Sequence, residues 1–514
     1  MNPRSIPTLL SALWLAILAV MLSVASAEAA TRAESDNFIL ISDADVQGAE
    51  ILRDLERFRG AVIADLGLDT TPDTQKLTLS IIDDTRVFEA VTPGGITAAI
   101  YLRSAAGEDI VIGYSEDPDH FLHRALERDW LRLVLRHEVV HHIIEERYPR
   151  KLPIWLGEGM ADYYATYDHD GENLAVFGRA LPDEDELTRA GSWLPMRTVI
   201  ESMARYPDYA AATTDSLFRA QRLYYGQSWA LAHFVMTEPG GLANIHRFVD
   251  GWDASSDSED SFERAFGLRY GPLEERVRGR LGKPGGTLRV TEVGSSATGP
   301  VSTSEPSEAV LAANRLRLLL SYGRRDVTTR ALIDEAEVSV REDTTALTLA
   351  RALNSWRMGD WDGVDVITDR VLARIPEAPR ALKLRAKAAY GRVSQNQMDD
   401  TLWTEARDAA VRALAASPQD AQLHLFRVAV SRPETHSLPK PALQSLDWLI
   451  LRKSHLRHPH EAMMMIPALL YEGKLDHADA VLDNAARWSD NPADSLVIER
   501  FRNEIASRRM SQER

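Results

Sequence analysis

The interpretation of this chain depends first on residues 136–142, RHEVVHH. They lie inside Trp130–Ile144, where apolar residues recur at helical spacing, so we expect a helix there. His137 and His141 are four residues apart and therefore share one face of that helix, with about 5–6 Å between their Cβ atoms. Two imidazoles in this arrangement can bind one zinc ion through nitrogen at about 2.0–2.1 Å.

Glu138 follows the first histidine directly, which directs its carboxylate beside the metal rather than onto it. At that position the carboxylate can act as a general base that takes a proton from metal-bound water. The alternative is a helix whose histidines merely solvate its surface.

Residues 152–164, LPIWLGEGMADYY, supply the remaining groups. Pro153 ends a loop, and the residues from Trp155 onward are typical of a helix. A turn and an antiparallel helix would bring Glu158 back to the metal. Asp162 lies one turn further on the same face, where its carboxylate could accept the second ring N–H of a ligand histidine.

A catalytic zinc site uses three protein ligands and keeps one position open. The sequence therefore predicts one Zn²⁺ per chain, held by His137, His141 and Glu158, with Glu138 as base and Asp162 behind a ligand.

With these residues the chain resembles the gluzincin superfamily of zinc metallopeptidases, in which H-E-x-x-H is followed by a helix bearing E-x-x-x-D or a close variant. It is still more similar to the peptidase MA-like bacterial branch. That likeness covers about residues 37–281 and includes NFIL at 37–40, LERF at 55–58, WLGEG at 155–159 and YGQSWAL at 225–231.

The resemblance implies further roles. In the aminopeptidase branch a helix beginning Tyr-x-x-Gly offers a tyrosine hydroxyl to the oxyanion. Tyr225 is the matching residue, with Ser228 in place of the glycine and with Tyr224 as the substitute if the register differs by one. Tyr225 could equally be a half-buried core residue. The glutamate that binds a free amine in exopeptidases has no counterpart near residues 94–99, which favours an endopeptidase. Ile110–Tyr114 would be the edge strand that pairs with an extended substrate.

The N-terminus predicts export. An apolar run over 9–24 is followed by Ala25-Ser26-Ala27, which fits a signal peptide at residues 1–27. An uncleaved N-terminal membrane anchor is the alternative. Without any cysteine, disulfides and a lipoprotein anchor are excluded. We expect a bacterial periplasmic or secreted protein with no stable membrane span after cleavage.

The predicted fold is an α+β zincin-like catalytic domain, a small mixed sheet followed by a helical subdomain, plus a C-terminal all-α repeat. Residues 36–119 form the N-terminal α/β subdomain, with a sheet of about four strands, and 120–281 form the helical subdomain. The Gly/Ser/Thr/Pro-rich stretch 282–306 is predicted to be a linker, with a short strand at 287–293.

Residues 307–514 are almost entirely amphipathic and helical in pattern. Helix–turn–helix units at 346–375, 380–417 and 461–488 resemble degenerate tetratricopeptide repeats. A generic helical bundle would give the same periodicity. The repeats predict an α-solenoid that could bind a protein partner.

The formal net charge of −17 argues against nucleic-acid binding, because the chain has no excess of basic residues to neutralise phosphates. The expected substrate is a peptide or protein. Two other functions stay open: an envelope scaffold with a non-catalytic zincin domain, and a zinc hydrolase acting on another amide, such as a peptidoglycan cross-link.

Overall fold

The structure is a computed structural model that describes most of the chain beyond the N-terminus. The described residues are 30–68, 76–92, 99–103, 109–114, 130–147, 152–170, 173–180, 193–201, 214–251, 258–281, 288–292, 299–340, 344–431, 437–452, 459–488 and 492–512. The predicted signal peptide at 1–27 lies outside them. Among the described helices, none is both long and apolar enough to cross a membrane.

A six-stranded mixed sheet has the strand order β4-β5-β3-β2-β1-β9, with five strands from residues 31–114 and one from 302–304. Its strands are β1 (Thr31–Glu34), β2 (Phe38–Ser42), β3 (Leu77–Ile82), β4 (Ala99–Arg103), β5 (Asp109–Tyr114) and β9 (Ser302–Ser304). β2, β3 and β5 run parallel, and β4 is antiparallel to β5. Every residue of central β3 is buried, as expected for a strand covered on both faces.

Helices cover both faces of this sheet. On one face Leu79 and Val111 pack against α1 (Gly48–Asp65) and α3 (Trp130–Arg147). On the other, Ile110 and Ile112 join a core with α2 (Thr85–Val91), α10 (Glu308–Tyr322) and α11 (Val327–Ser339). The alternation of neighbouring β5 residues between two cores follows from the period of two in a strand.

Helices α4 to α9 pack beside the sheet. Their bounds are α4 (Ile154–Ala165), α5 (Met196–Glu201), α6 (Thr214–Thr237), α7 (Gly241–Gly251), α8 (Ser258–Phe266) and α9 (Tyr270–Leu281). Trp155 of α4 is fully buried, with its ring centroid 6.1 Å from that of Phe248 and 6.3 Å from that of Phe262. This aromatic cluster ties α4 to α7 and α8.

A second, three-stranded sheet has the order β6-β7-β8, with β6 (Asp168–His169), β7 (Leu174–Phe177) and β8 (Arg289–Glu292). β8 is also tied to α1, because Arg289 Nε donates to the fully buried Asp65 carboxylate at 2.6 Å. The hydroxyl of Tyr164 on α4 donates to the same carboxylate at 2.7 Å.

The C-terminal part of the described chain is helical. After α10 and α11 it comprises α12 (Thr345–Met358), α13 (Trp361–Leu372), α14 (Pro379–Gln395), α15 (Asp400–Ala416), α16 (Ala421–Ala429), α17 (Lys440–Arg452), α18 (Pro459–Tyr471), α19 (Leu475–Trp488) and α20 (Pro492–Gln512). The three predicted helix–turn–helix units correspond to α12–α13, α14–α15 and α18–α19. Gly359 joins the first pair with φ of 75°, a left-handed conformation that glycine adopts without steric cost.

Several sequence expectations differ from this architecture. The main sheet has six strands instead of about four, because β1 and the polar β9 join its edge by antiparallel pairing. Residues 282–306 contain β8, within the strand expected at 287–293, and β9, which pairs with β1. The expectation that Ile110–Tyr114 is the edge strand is wrong, since β5 lies between β3 and β4. The fold as a whole is mixed α/β and dominated by helices.

Candidate metal centre

Two helices bring the candidate ligands together. On α3, Val139, Val140 and Ile143 are buried in the hydrophobic core, while His137 and His141 lie one turn apart on a partly exposed side. On α4, Glu158 is likewise partly exposed, while Leu156 and Gly159 close to it are buried. The helical periods predicted from the sequence are therefore the ones that turn these three side chains toward each other.

The donor atoms of the three side chains form a nearly equilateral triangle. His137 Nε2 lies 3.2 Å from His141 Nε2 and 3.4 Å from Glu158 Oε2, and His141 Nε2 lies 3.5 Å from Glu158 Oε2. Donors held about 2.0–2.1 Å from a tetrahedral zinc ion lie about 3.3 Å apart. The spacing of the three donor atoms is thus close to that around a zinc ion. Among the described histidine, aspartate and glutamate side chains, these three form the cluster that could hold a metal ion.

The site is reached from solvent. The side chains of His137, His141 and Glu158 are 14%, 22% and 19% exposed. A metal ion held by these three side chains would keep one tetrahedral position free for water on this side.

Asp162 lies behind His137. Its Oδ1 is 2.7 Å from Nδ1 of His137, and it lies one turn after Glu158 on α4. When Nδ1–H donates to this carboxylate, the lone pair of the neutral ring is on Nε2, the atom that faces the other ligands. The sequence placed Asp162 beside a ligand histidine, and the geometry identifies that histidine as His137.

The charges of the cluster are strongly coupled. Although burial lowers it, the pKa of His137 is raised well above its ordinary value by the Asp162 carboxylate, with Glu158 and Glu138 adding to the effect. Burial lowers the pKa of His141 as well, but Glu158 raises it more, so that this pKa is also above its ordinary value. Conversely, the two histidines hold the pKa of Glu158 far below its usual range despite burial. A cation is therefore favoured at the centre of the triangle, whether protons or a metal ion supply the charge.

Glu138 lies beside the triangle and contacts the sheet. Its Oε2 accepts a hydrogen bond of 2.7 Å from the backbone N–H of Tyr101. Tyr101 belongs to β4, the edge strand that the sequence analysis did not identify as such. The bond ties Glu138, the residue after His137, to the strand at the end of the described sheet order.

Tyr225 lies within α6, which begins at Thr214 and not at this tyrosine as the resemblance implied. Its side chain is half-buried, whereas Tyr224 is buried and directs its hydroxyl toward the carbonyl of Val199 at 3.5 Å. One turn after Tyr225, the backbone of Ser228 lies against Gly159, the neighbour of Glu158. Of the two tyrosines, Tyr225 is the less buried, and both lie on the helix that packs against α4.

His142, the residue after His141, does not join the cluster. His142 is buried and packs its ring edge-on against Tyr101, with centroids 5.7 Å apart. His120 and His123 lie outside the described residues.

The sequence analysis did not single out Arg136, Asp54 or the backbone of Tyr101. The sequence did contain a signal for Arg136, because it lies four and seven residues before the buried Val140 and Ile143 and so shares their face of the helix. A charged residue on a buried face needs a partner of opposite charge. The contact of Tyr101 with Glu138 is made by its backbone N–H, so the residue type at this position could not predict it.

No protein-family model matches this chain, and no curated protein matches it either.

Proposed function

We propose that the chain is an exported zinc-dependent metallopeptidase, most simply an endopeptidase, that hydrolyses peptide bonds in a peptide or protein substrate. The observation that carries the proposal is the triangle of His137, His141 and Glu158, whose edges of 3.2–3.5 Å suit one zinc ion. The resemblance of residues 37–281 to gluzincin peptidases supports the same class, with a zincin-like fold for this part of the chain.

Zinc bound by these side chains would supply Lewis-acid chemistry, lowering the pKa of water to about 7 and polarising the scissile carbonyl. Glu138 takes the proton of the attacking water and then passes it to the leaving amine. Its hydrogen bond from the N–H of Tyr101 keeps the carboxylate turned toward the site. Tyr225 donates its hydroxyl proton in a hydrogen bond to the oxygen on which negative charge develops.

The substrate would lie along β4. Along β4, the backbone N–H and C=O groups of successive residues point alternately toward β5 and away from it. The N–H of Tyr101 points away from β5, toward Glu138. The backbone groups of Arg103, two residues further along the strand, share that outward direction. An extended peptide can add to this edge as another strand, which brings one of its carbonyls beside Glu138.

The C-terminal region would serve the peptidase as a binding module. Its helix pairs, joined by short turns such as Gly359, support a tetratricopeptide-like solenoid. An open cavity of about 630 Å³ lies between α14, α18 and α20 and is lined mainly by apolar side chains, among them Met463, Leu438 and Val497. This cavity also favours the alternative function, an envelope scaffold that binds a partner and has no catalytic activity.

The two functions are separated by replacing Glu138 with Gln in residues 28–514 and measuring casein hydrolysis at saturating zinc. Because the change removes the base but not the ligands, we expect zinc binding to persist while turnover falls by about 10²–10⁴-fold. Glu274→Gln makes the same carboxylate-to-amide change at a residue paired with Arg278 on α9, and it should leave turnover unchanged. Hydrolysis by Glu138→Gln near the wild-type rate would contradict the proposal. Zinc binding without hydrolysis of any peptide by the wild type would favour the scaffold.

A further inference from the structure

A largely buried arginine, Arg136, precedes the first candidate ligand directly. Arg136 of α3 and Asp54 of α1 form a two-pronged ion pair, in which Nε lies 2.9 Å from Oδ2 and Nη2 lies 2.6 Å from Oδ1. The two side chains are only 14% and 7% exposed. Such a forked pair fixes the orientation of the guanidinium plane as well as its position.

The third nitrogen of the same guanidinium reaches the end of α4. Nη1 of Arg136 donates to the carbonyl of Tyr167 at 2.8 Å, and the carbonyl of Ala165 lies 3.4 Å away. Ala165 is the last residue of α4, where backbone carbonyls have no partner within the helix. The ring of Tyr167 lies beneath the guanidinium, 5.1 Å from its central carbon. One side chain thus connects α1, α3 and the C-terminal end of α4.

This connection has a direct bearing on the metal centre. α3 carries His137 next to Arg136, and α4 carries Glu158 two turns before the end that Arg136 holds. Metal sites tolerate deviations of only about 0.2 Å in ligand distance, whereas a shift of one helical residue moves a side chain by about 1.5 Å along the axis. A small slide of α4 along α3 would therefore separate Glu158 from the two histidines.

We propose that Arg136 is a positioning residue for the metal centre, which holds α3 and α4 in the register that keeps Glu158 within reach of both histidines. The inference rests on the proposed zinc site but not on peptide hydrolysis. Arg136 has no contact with the metal in this account, and it acts through the two helices that carry the ligands.

Arg136→Lys tests the role, because lysine keeps the charge opposite Asp54 but has one nitrogen in place of a fork. A single ammonium cannot hold Asp54 on two oxygens and the end of α4 at once. The matched control is Arg315→Lys, since Arg315 pairs with Asp43 through Nε at 2.9 Å in a part of the fold without candidate ligands.

The measurements are zinc affinity by competition with a chromophoric chelator, the visible spectrum of the Co²⁺-substituted protein, and the melting temperature. We expect Arg136→Lys to weaken zinc binding by about 10–100-fold and to change the Co²⁺ spectrum, while Arg315→Lys stays within about twofold of the wild type. A purely structural ion pair would lower the melting temperature in both variants and leave zinc affinity alone.

A second variant protects the test against misfolding. Arg136→Met with Asp54→Leu removes both buried charges together, which avoids leaving the carboxylate unpaired. We expect this protein to fold and to bind zinc as weakly as Arg136→Lys, because the end of α4 is no longer held. Zinc affinity within about twofold of wild type in either variant would overturn the positioning role. A wild-type protein that binds zinc without cleaving peptides would refute the peptidase alone, whereas one that binds no zinc would refute both.

Discussion

Nδ1 of His137 lies 2.7 Å from Oδ1 of Asp162, so the helix that supplies the third candidate ligand also orients the first. One helix, α4, therefore contributes both Glu158 and the carboxylate that sets the tautomer of His137. The resulting arrangement is compact, because the two acidic residues are one turn apart.

Replacing Asp162 with Asn should weaken zinc binding. The amide keeps the shape but loses the negative charge that makes His137 a better donor, and changes of this kind cost about 10–100-fold in metal affinity. Zinc titration of the purified variant measures the effect. Unchanged affinity would mean that the contact does not support a metal ligand.

Tyr225→Phe removes the proposed hydrogen bond to the developing oxyanion. Because this bond strengthens only in the transition state, we expect kcat to fall by about 10²–10³-fold with little change in KM or in zinc affinity. Tyr224→Phe is the matched control, since that hydroxyl faces the Val199 carbonyl. Equal losses in the two variants would point to a packing role for both tyrosines.

Gly159 permits the close contact of α4 with α6. A Cβ at this position would overlap the backbone carbonyl of Ser228 and lie 2.8 Å from the Cβ of Ala232. Gly159→Ala should therefore lower the free energy of unfolding by about 1–3 kcal/mol.

A Cβ added at Gly157, on the same helix, would meet no atom within 4 Å outside the local helix backbone. Gly157→Ala should therefore stabilise the protein by about 0.5–1 kcal/mol. Chemical denaturation of both variants gives the comparison. A neutral Gly159→Ala would show that α6 can move away from α4 without cost.

The ion pair between Asp420 and Lys383 should make part of the free energy of unfolding depend on pH in the acidic range. Although burial raises it, the pKa of Asp420 is lowered overall by Lys383, whose Nζ lies 2.6 Å away. A lowered pKa in the folded state stabilises the protein above the unfolded value near 3.8, and this contribution is lost as the pH falls through the folded value.

Asp420→Asn should consequently cost about 3 kcal/mol at neutral pH, because Lys383 loses its buried counterion, and less as the pH drops below about 4. Unfolding followed by circular dichroism between pH 3 and about 7 measures both effects. Asp360→Asn, at the N-terminus of α13, is the control and should change stability by less than about 0.5 kcal/mol. A cost for Asp420→Asn that does not depend on pH would contradict the ion-pair explanation.

The local parts of the fold and site followed from the sequence. α3 and α4 form where apolar periodicity and Pro153 predict them, and that periodicity places His137, His141, Glu158 and Asp162 on facing sides. These features depend on residues within a few turns of each other, which is the range that helical spacing covers.

What could not be predicted depends on distant pairing. β9 joins β1 through short polar residues that carry no alternating pattern, and the place of β4 at the sheet edge follows from tertiary arrangement. Arg136 and Asp54 are 82 positions apart, so no local pattern links them. The same is true of α10 and α11, whose Leu318 and Leu332 cover a face of the sheet although they belong to the predicted repeat region.

The most direct test of the central claim is the zinc content of residues 28–514 after purification and equilibration with the metal, compared between His141→Asn and His142→Asn. The neighbouring histidines differ in the structure, since His141 belongs to the triangle and His142 packs against Tyr101. We predict about one zinc per chain for the wild type and for His142→Asn, and loss of binding for His141→Asn. A folded wild-type chain that binds no zinc, or equal binding by both variants, would contradict the metal centre on which the account depends.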